Sequence, residues 1–468
     1  MRSRIALAMM LLITGCTVGP DYVKPVVDVP PVFNNQDSNA RQTANIAWWK
    51  QFQDPALDAL IAEALANNRD VKIALANIEQ AAAVFTQSRS SLYPQIGYGG
   101  SGTRERASET DAPRLYSFLS NPRTAYQTLA GASWELDLWG RVRRLSEAAQ
   151  AEFLATEAAW QGVILSLVSS VATGYIQLLG LDEQLQVAEQ TLAAYAESLK
   201  IFETRFKYGQ VSEMTVVQAR SQYETAAAAI PQLQSQIQQA ENALSILLGR
   251  NPGTIQRQGT LHGLKRPPVP AGLPSDLLTN RPDIRQAEER LIAANANIGA
   301  ARALYFPTIS LTGAFGFASS DLSDLFKGSS RAWSYAGSLT GPIFTGGAVK
   351  SGVKQTEAAR EAALWAYKKA IQGAFADAEN ALIAQRQLVE QVRILERLVG
   401  ANREYVHLAH LQYDGGYVPY STVLQAEQQL FPSELNYAQT RAALLASLVT
   451  VYKAMGGGWQ PVVSGEKP

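Results

Sequence analysis

Between Arg141 and Phe206 the chain runs for about sixty-six residues without a proline. Ile164, Val171, Leu178, Leu185, Leu192, Leu199 and Phe206 fall seven apart, and Leu167, Gly174, Leu181, Ala188, Tyr195 and Phe202 form a second column beside them. Two apolar columns at three-and-four spacing make the seam of a coiled coil. At 1.5 Å of rise per residue such a helix extends roughly 100 Å, against about three turns for an average one. A helix of this length cannot fold back into a compact core. It builds a rod or the wall of a conduit, and the rest of the chain must choose between them.

Composition narrows the choice. The 41 basic and 41 acidic residues cancel, so nothing builds the positive field that nucleic acid requires. A hydrophobic content of 47% excludes global disorder. The single cysteine, Cys16, excludes an intrachain disulfide, so the shape must come from packing or assembly.

Residues 1–15 read as a signal peptide: Arg2 and Arg4, then an apolar run from Ile5 to Ile13 that is too short to cross a bilayer. Ile13-Thr14-Gly15-Cys16 resembles a bacterial lipobox, which would make Cys16 the lipidated first residue of the mature protein; a buried or incidental cysteine is the plain alternative. Thr17, in place of an acidic residue, fits sorting to the outer membrane. Residues 16–56, with Pro20, Pro25, Pro30 and Pro31, form the anchor and an extended strap.

The first repeat covers residues 57–253: a helix from Leu57 to Arg89, strands near 93–104 and 124–138, the long helix 141–207, and a return helix 212–248 that Pro231 should kink. In the second strand Tyr126, Thr128, Ala130, Ala132, Trp134, Leu136 and Leu138 share one face, while Gln127, Gly131, Ser133, Glu135 and Asp137 dominate the other. Period two with one apolar face suits a half-buried strand or a strand of a membrane barrel. A linker, 254–274, is rich in proline and glycine. Then the pattern returns.

Leu65, Asn67, Asp70, Arg89 and Pro94 recur 213 positions later as Leu278, Asn280, Asp283, Arg302 and Pro307. Gly209, Val211, Thr215, Val216, Gln218 and Ala219 recur 207 positions later as Gly416, Val418, Thr422, Val423, Gln425 and Ala426. The chain is a tandem duplication. The second repeat, 275–458, holds a helix, strands near 305–318 and 331–344, a long helix 346–414 whose seam shifts phase once and invites a bend or unwinding, and a return helix 420–455; 459–468 is a tail. Four strands cannot close a barrel, since single-chain examples start at about eight. Either several chains share one barrel or the strands form a small soluble sheet on the helices.

These residues resemble, end to end, the outer-membrane efflux lipoproteins of the TolC superfamily, in the OprM/NodT-like branch. The resemblance is carried by Cys16-Thr17-Val18-Gly19-Pro20-Asp21-Tyr22, Trp48-Trp49, Asp54-Pro55-Ala56-Leu57 and Leu138-Trp139-Gly140-Arg141. Leu273-Pro274-Ser275-Asp276-Leu277-Leu278, Arg281-Pro282-Asp283-Ile284 and the two turns complete it. It implies a mainly α fold with a membrane β-barrel. A homotrimer would carry a twelve-stranded barrel in outer-membrane lipid and a twelve-helix periplasmic tunnel, with an equatorial belt around it. The helix tips at Gly209, Val211, Ser212, Gly416 and Val418 would meet a periplasmic adaptor and, through it, an inner-membrane pump.

In that family an apolar and an acidic residue after the second tip narrow the entrance. This chain departs there, with Ser421 and Gln425. The tip arginine four residues before the glycine is Arg205 in the first half but Gln412 in the second, which leaves Tyr413 and Asp414 as substitutes. Candidate gate residues are therefore Arg205, Gln412, Tyr413, Asp414, Ser421 and Gln425.

No nucleophile elbow, zinc-protease helix or phosphate loop is present in the sequence. His407, His410 and Asp414 share a helix face and could bind a metal, although solvated or gate-lining roles suit them better. The expectation is a passive efflux channel without cofactor or catalysis. Alternatives are a conduit for protein or polysaccharide export and a non-conducting, lipid-anchored scaffold.

Overall fold

A computed structural model describes residues 17–33, 47–108, 121–269 and 274–459. The signal peptide, Cys16 and most of the C-terminal tail lie outside the described residues. The chain is mainly helical with one small antiparallel sheet. A 3-10 turn, Trp48–Phe52, precedes α1 (Pro55–Asn67), α2 (Arg69–Ser90), β1 (Gln95–Glu105), β2 (Arg123–Leu136), α3 (Arg141–Lys207) and α4 (Glu213–Leu247). Then follow α5 (Pro274–Asn280), α6 (Pro282–Ala303), β3 (Thr308–Ser319), β4 (Arg331–Thr340), α7 (Ala348–Asp414) and α8 (Tyr420–Ala454). The duplication reaches element lengths: α2 and α6 have 22 residues each, α3 and α7 have 67, and α4 and α8 have 35.

One helix expected from Leu57 to Arg89 is two. Asn68 takes an extended ψ of 135° between them. Its Oδ1 accepts from the amides of Asp70 and Val71, capping α2, while its Nδ2 donates to the Leu247 carbonyl. An asparagine that satisfies two orphan amides and a distant carbonyl does better at a break than inside a helix. The second long helix does not unwind where its seam shifts; α7 is unbroken from Ala348 to Asp414. Likewise α4 and α8 continue through Pro231 and Pro432.

The chain forms two compact units, each drawing segments from both repeats. The first contains the strap up to Val26, the sheet, and the parts of α2, α3, α6 and α7 nearest the strands. Here β2 hands over to α3 through a built corner. Asp137 accepts from the amides of Val142 and Arg143, and Arg141 grips Glu135 with two bonds of 3.1 and 2.7 Å. Such an anionic cap satisfies the first amides and suits the positive end of the helix. Trp139 donates to the Pro307 carbonyl at 2.8 Å and stacks on Phe306.

The strap crosses α3 and α6 in the same unit. Asn295 donates to the Pro20 carbonyl, Arg144 pairs with Asp21, and Tyr22 and Lys24 both reach Glu288. A Cβ on Gly19 would sit 2.4 Å from the Gly299 Cα, so the two backbones meet only because both lack side chains.

The second unit holds the larger core. Trp48, Phe52, Leu57, Ile164, Val171, Tyr175, Leu178, Leu244, Leu248 and Tyr452 are all buried together. By length and composition α3 has a stretch apolar enough to cross a membrane, but 61% of that stretch is buried within the protein. Its apolarity serves packing. Residues after Asn251 are held by Arg257, which pairs with Asp182 at 2.7 Å and Glu241 at 2.6 Å.

Candidate functional site

The sheet order is β1-β2-β3-β4, every pair antiparallel, with β1 and β4 at the edges. Partners in an antiparallel ladder point to the same face, so the register defines the two sides. Ile96 and Tyr98 oppose Ala132 and Ala130; Trp134 opposes Leu311; Ala130 opposes Phe315, which opposes Trp333; Ile309 opposes Leu339. The result is one continuous apolar face across four strands. The reverse face runs through Gln95, Gly97, Ser101, Ser133, Gly131, Gln127, Ser310, Thr312, Ser334 and Ser338.

Neither side is covered like a core. Tyr98 is 96% exposed, Ile96 and Tyr335 are each 81%, and Trp333 is 67%. A soluble cap would press this face onto a helix, and nothing within the chain does so among the described residues.

At the far ends of the long helices lie two turns, both in the second unit. After α3, Gly209 has φ of 70° and donates to the Phe206 carbonyl, while the Gln210 amide donates to that of Arg205. After α7, Gly416 has φ of 76° and donates to Tyr413, and the Tyr417 amide donates to Gln412. Both are left-handed caps that close the last carbonyls of a helix. Ser212 caps α4 by accepting from the Thr215 amide; its counterpart Pro419 has no side-chain cap. A Cβ on Gly416 meets nothing within 4 Å, so Gly416→Ala incurs only the left-handed backbone cost of about 1 kcal/mol. Amide exchange in the last turn of α7 should rise about fivefold, with the global melting point unchanged.

Below the turns the two hairpins meet through aromatic rings. Phe202 lies 4.1 Å from Tyr420 between ring centroids, Tyr413 lies 5.4 Å from Tyr420, and the Arg205 guanidinium sits 6.0 Å over Phe202. Arg205 also donates to the Tyr413 hydroxyl at 3.4 Å. Val216, Ala219, Ala409 and Val423 fill in around them. Burial raises the Tyr420 hydroxyl well above the usual phenol range, and Glu427 adds to the effect.

Of the six gate candidates, the structure brings Arg205 and Tyr413 together; Gln412, Asp414, Ser421 and Gln425 are exposed on or after the second tip. Gly209, Ser212 and Gly416 are exposed, while Val211 and Val418 are half-buried. Sequence reasoning had no role for Tyr420 or Glu427, and it saw Tyr195 only as a seam residue. Phe202 was visible only as a seam residue, and Tyr420 carried the signal of a large aromatic directly after Pro419 where the first repeat has a glutamate, Glu213. His407 is exposed and His410 pairs with Glu427, so the two histidines and Asp414 do not converge; no cluster of three metal-ligating side chains forms among the described residues.

The geometry is thus an uncovered two-faced sheet, long paired helices and two capped tips, with no catalytic constellation among the described residues. Comparison with known proteins agrees. The family model described as outer membrane efflux protein matches residues 60–250 and 273–457. The solvent efflux pump outer membrane protein SrpC of Pseudomonas putida is 38% identical, over 96% of this chain and 97% of its own. The cation efflux system protein CusC of Escherichia coli is 36% identical, over 96% of this chain and 97% of its own. The crystal structure of the MtrE outer membrane channel of Neisseria gonorrhoeae superposes with a TM-score of 0.86 at 33% identity, covering 95% of this chain and 99% of that one. The chain therefore belongs to the outer membrane efflux protein family, a family of transport components and not of enzymes.

Proposed function

We propose that this chain is the outer-membrane conduit of a tripartite efflux system. It receives small molecules from an inner-membrane pump through a periplasmic adaptor and releases them outside, opening at the helix tips. The observation that carries this is the bare sheet. Its apolar face suits lipid, its small polar face suits a lumen, and its two edge strands each have only one partner among the described residues. In a bilayer each unpaired edge group costs several kcal/mol, so the edges must join those of other copies.

Two copies would give an eight-stranded barrel, whose interior is just filled by side chains. Three give twelve strands from the four per chain and leave a passage. The homotrimer implied by the resemblance is the smallest closed form that conducts. Three pairs of hairpins then form the twelve-helix tunnel, with Gly209, Val211, Ser212, Gly416 and Val418 meeting the adaptor. Arg205 and Tyr413 are the gate contacts that geometry favours, and Gln412, Asp414, Ser421 and Gln425 line the opening. Cys16 carries the lipid in the inner leaflet of the outer membrane.

Cysteine cross-linking tests the shared barrel. Ser101→Cys on β1, combined with single cysteines scanned along β4, should yield a covalent ladder ending at three chains. A ladder ending at two, or none at any position, contradicts it.

A further inference from the structure

We infer that His410 and Glu427 form a proton-controlled brace across the α7–α8 hairpin, tightening the second tip when the pair holds an extra proton and easing it as pH rises. The inference rests on reading the tips as the entrance of the conduit, and it names a residue pair that controls them.

His410 Nε2 lies 3.2 Å from Glu427 Oε1, with His410 42% exposed and Glu427 only 9%. The second carboxylate oxygen, Oε2, is buried with no hydrogen-bond partner. Glu427 stands two turns below Tyr420, and Tyr195 of α3 donates to its backbone carbonyl at 3.4 Å. The pair therefore sits where α3, α7 and α8 converge, directly beneath the aromatic cluster of the tip.

The duplication shows what is particular about it. Counting back 207 positions from His410 and Glu427 gives Glu203 and Arg220. These two also brace their hairpin, with Arg220 Nη2 2.9 Å from Glu203 Oε1. The same rung exists in both repeats with its charges reversed. One heptad further from the second tip, Arg403 pairs with Glu434 at 2.8 Å. Arginine stays charged at every accessible pH, whereas imidazole is the side chain that ordinarily changes charge between about pH 5 and 8. Of these three braces only His410–Glu427 can be switched by a proton.

The surrounding groups leave the switching to this pair. Tyr195 from α3, and Tyr420 on α8 with Tyr413 of α7 beside it, are phenols; burial, then the nearby Glu427, raises the first two further above their ordinary range, so they stay neutral. Glu434 is engaged by Arg403, and the other hairpin's Glu203 and Arg220 are engaged with each other. His407 and Asp414, about a turn to either side of His410, are exposed. Burial raises the Glu427 carboxyl above its usual value, opposed by His410.

The direction follows. Closing the tip buries a carboxylate that gains from a proton on either member of the pair, so the closed tip binds that proton more tightly. Stabilisation is present while the pair holds the extra proton and is lost as rising pH removes it.

The test uses the full-length protein in nanodiscs and planar bilayers. Amide protection in the first two turns of α8, corrected for intrinsic exchange, should be about three- to fivefold greater at pH 6 than at pH 8, since charge-assisted bonds are roughly twice as strong as neutral ones. Open probability should fall correspondingly. His410→Gln should flatten both profiles, and the double variant His410→Glu, Glu427→Arg, which copies the first hairpin, should give high protection at both pH values. Wild-type protection that does not change with pH, or a pH dependence that survives His410→Gln, overturns the brace. A non-conducting protein whose α8 protection still follows pH keeps the brace and strikes the conduit reading alone.

Discussion

Trp48→Ala should lower the stability of the second unit by about 3–5 kcal/mol, the range for emptying a large aromatic site in a core. Trp48 is fully buried, stacks on Tyr452 at 5.3 Å and meets Trp49 edge-on at 5.7 Å. Its Nε1 donates to the Gly457 carbonyl at 3.2 Å, tying the end of the strap to a segment 409 residues away. Alanine would leave a cavity and an unpaired carbonyl, and the surrounding rings could not collapse fully into the space. Chemical denaturation of the detergent-solubilised protein should show the loss as an earlier midpoint. Trp48→Phe, which keeps an aromatic ring but not the indole donor, should lose less than half as much.

Gly249→Ala is expected to cost about 2–4 kcal/mol, combining a left-handed backbone with overpacking. Gly249 has φ of 75°, and a Cβ there would come within 2.2 Å of the Asn67 carbonyl oxygen. That oxygen belongs to the last residue of α1, so it cannot move without loosening the helix end. The duplication supplies an internal control. Gly456, 207 residues on, has the same φ of 75° but its Cβ would lie 2.9 Å from the Asn280 oxygen. Gly456→Ala should therefore be the milder change, by about 1 kcal/mol, in thermal melts compared side by side.

The heptad columns were legible because a coiled-coil seam writes its own period, yet they mark burial unequally. Leu167, Ala188, Tyr195 and Phe202 stay buried toward the tip, while Ile164, Val171 and Leu178 are buried but Phe206 at the end of the same column is exposed. A straight helix drifts by about 20° per heptad against a strict seven-residue repeat, so one column rotates out as the other stays in. In α7 the buried line includes Ala374, Ala378, Ala381, Gln385 and Asn402. Small and polar residues give no hydrophobic period, so the sequence showed a faltering seam where the helix is continuous.

The apolar strand face was readable from alternation alone, since period two fixes which residues share a side. That this face would stand uncovered was not, because coverage depends on what else packs there. Contacts between distant segments were equally silent. Asn68 reads as one more polar helix residue until Leu247 arrives to meet it. At the tips, motif analogy named Arg205, Gln412, Tyr413, Asp414, Ser421 and Gln425; packing joins Arg205 and Tyr413 of these to Phe202 and Tyr420, which the motif did not mark, and leaves Ser421 and Gln425 exposed. The Glu427 brace emerges only when the two hairpins are compared rung by rung.

Single-channel recording of the purified protein in planar bilayers, with its mass determined in the same detergent, tests the conduit most directly. The proposed shared barrel and the capped tips predict a trimer with small, rare openings that become frequent when Arg205→Ala removes the contact to Tyr413. A monomer or dimer that never conducts, with or without that substitution, would contradict a shared barrel and leave the long helices as a membrane-tethered rod.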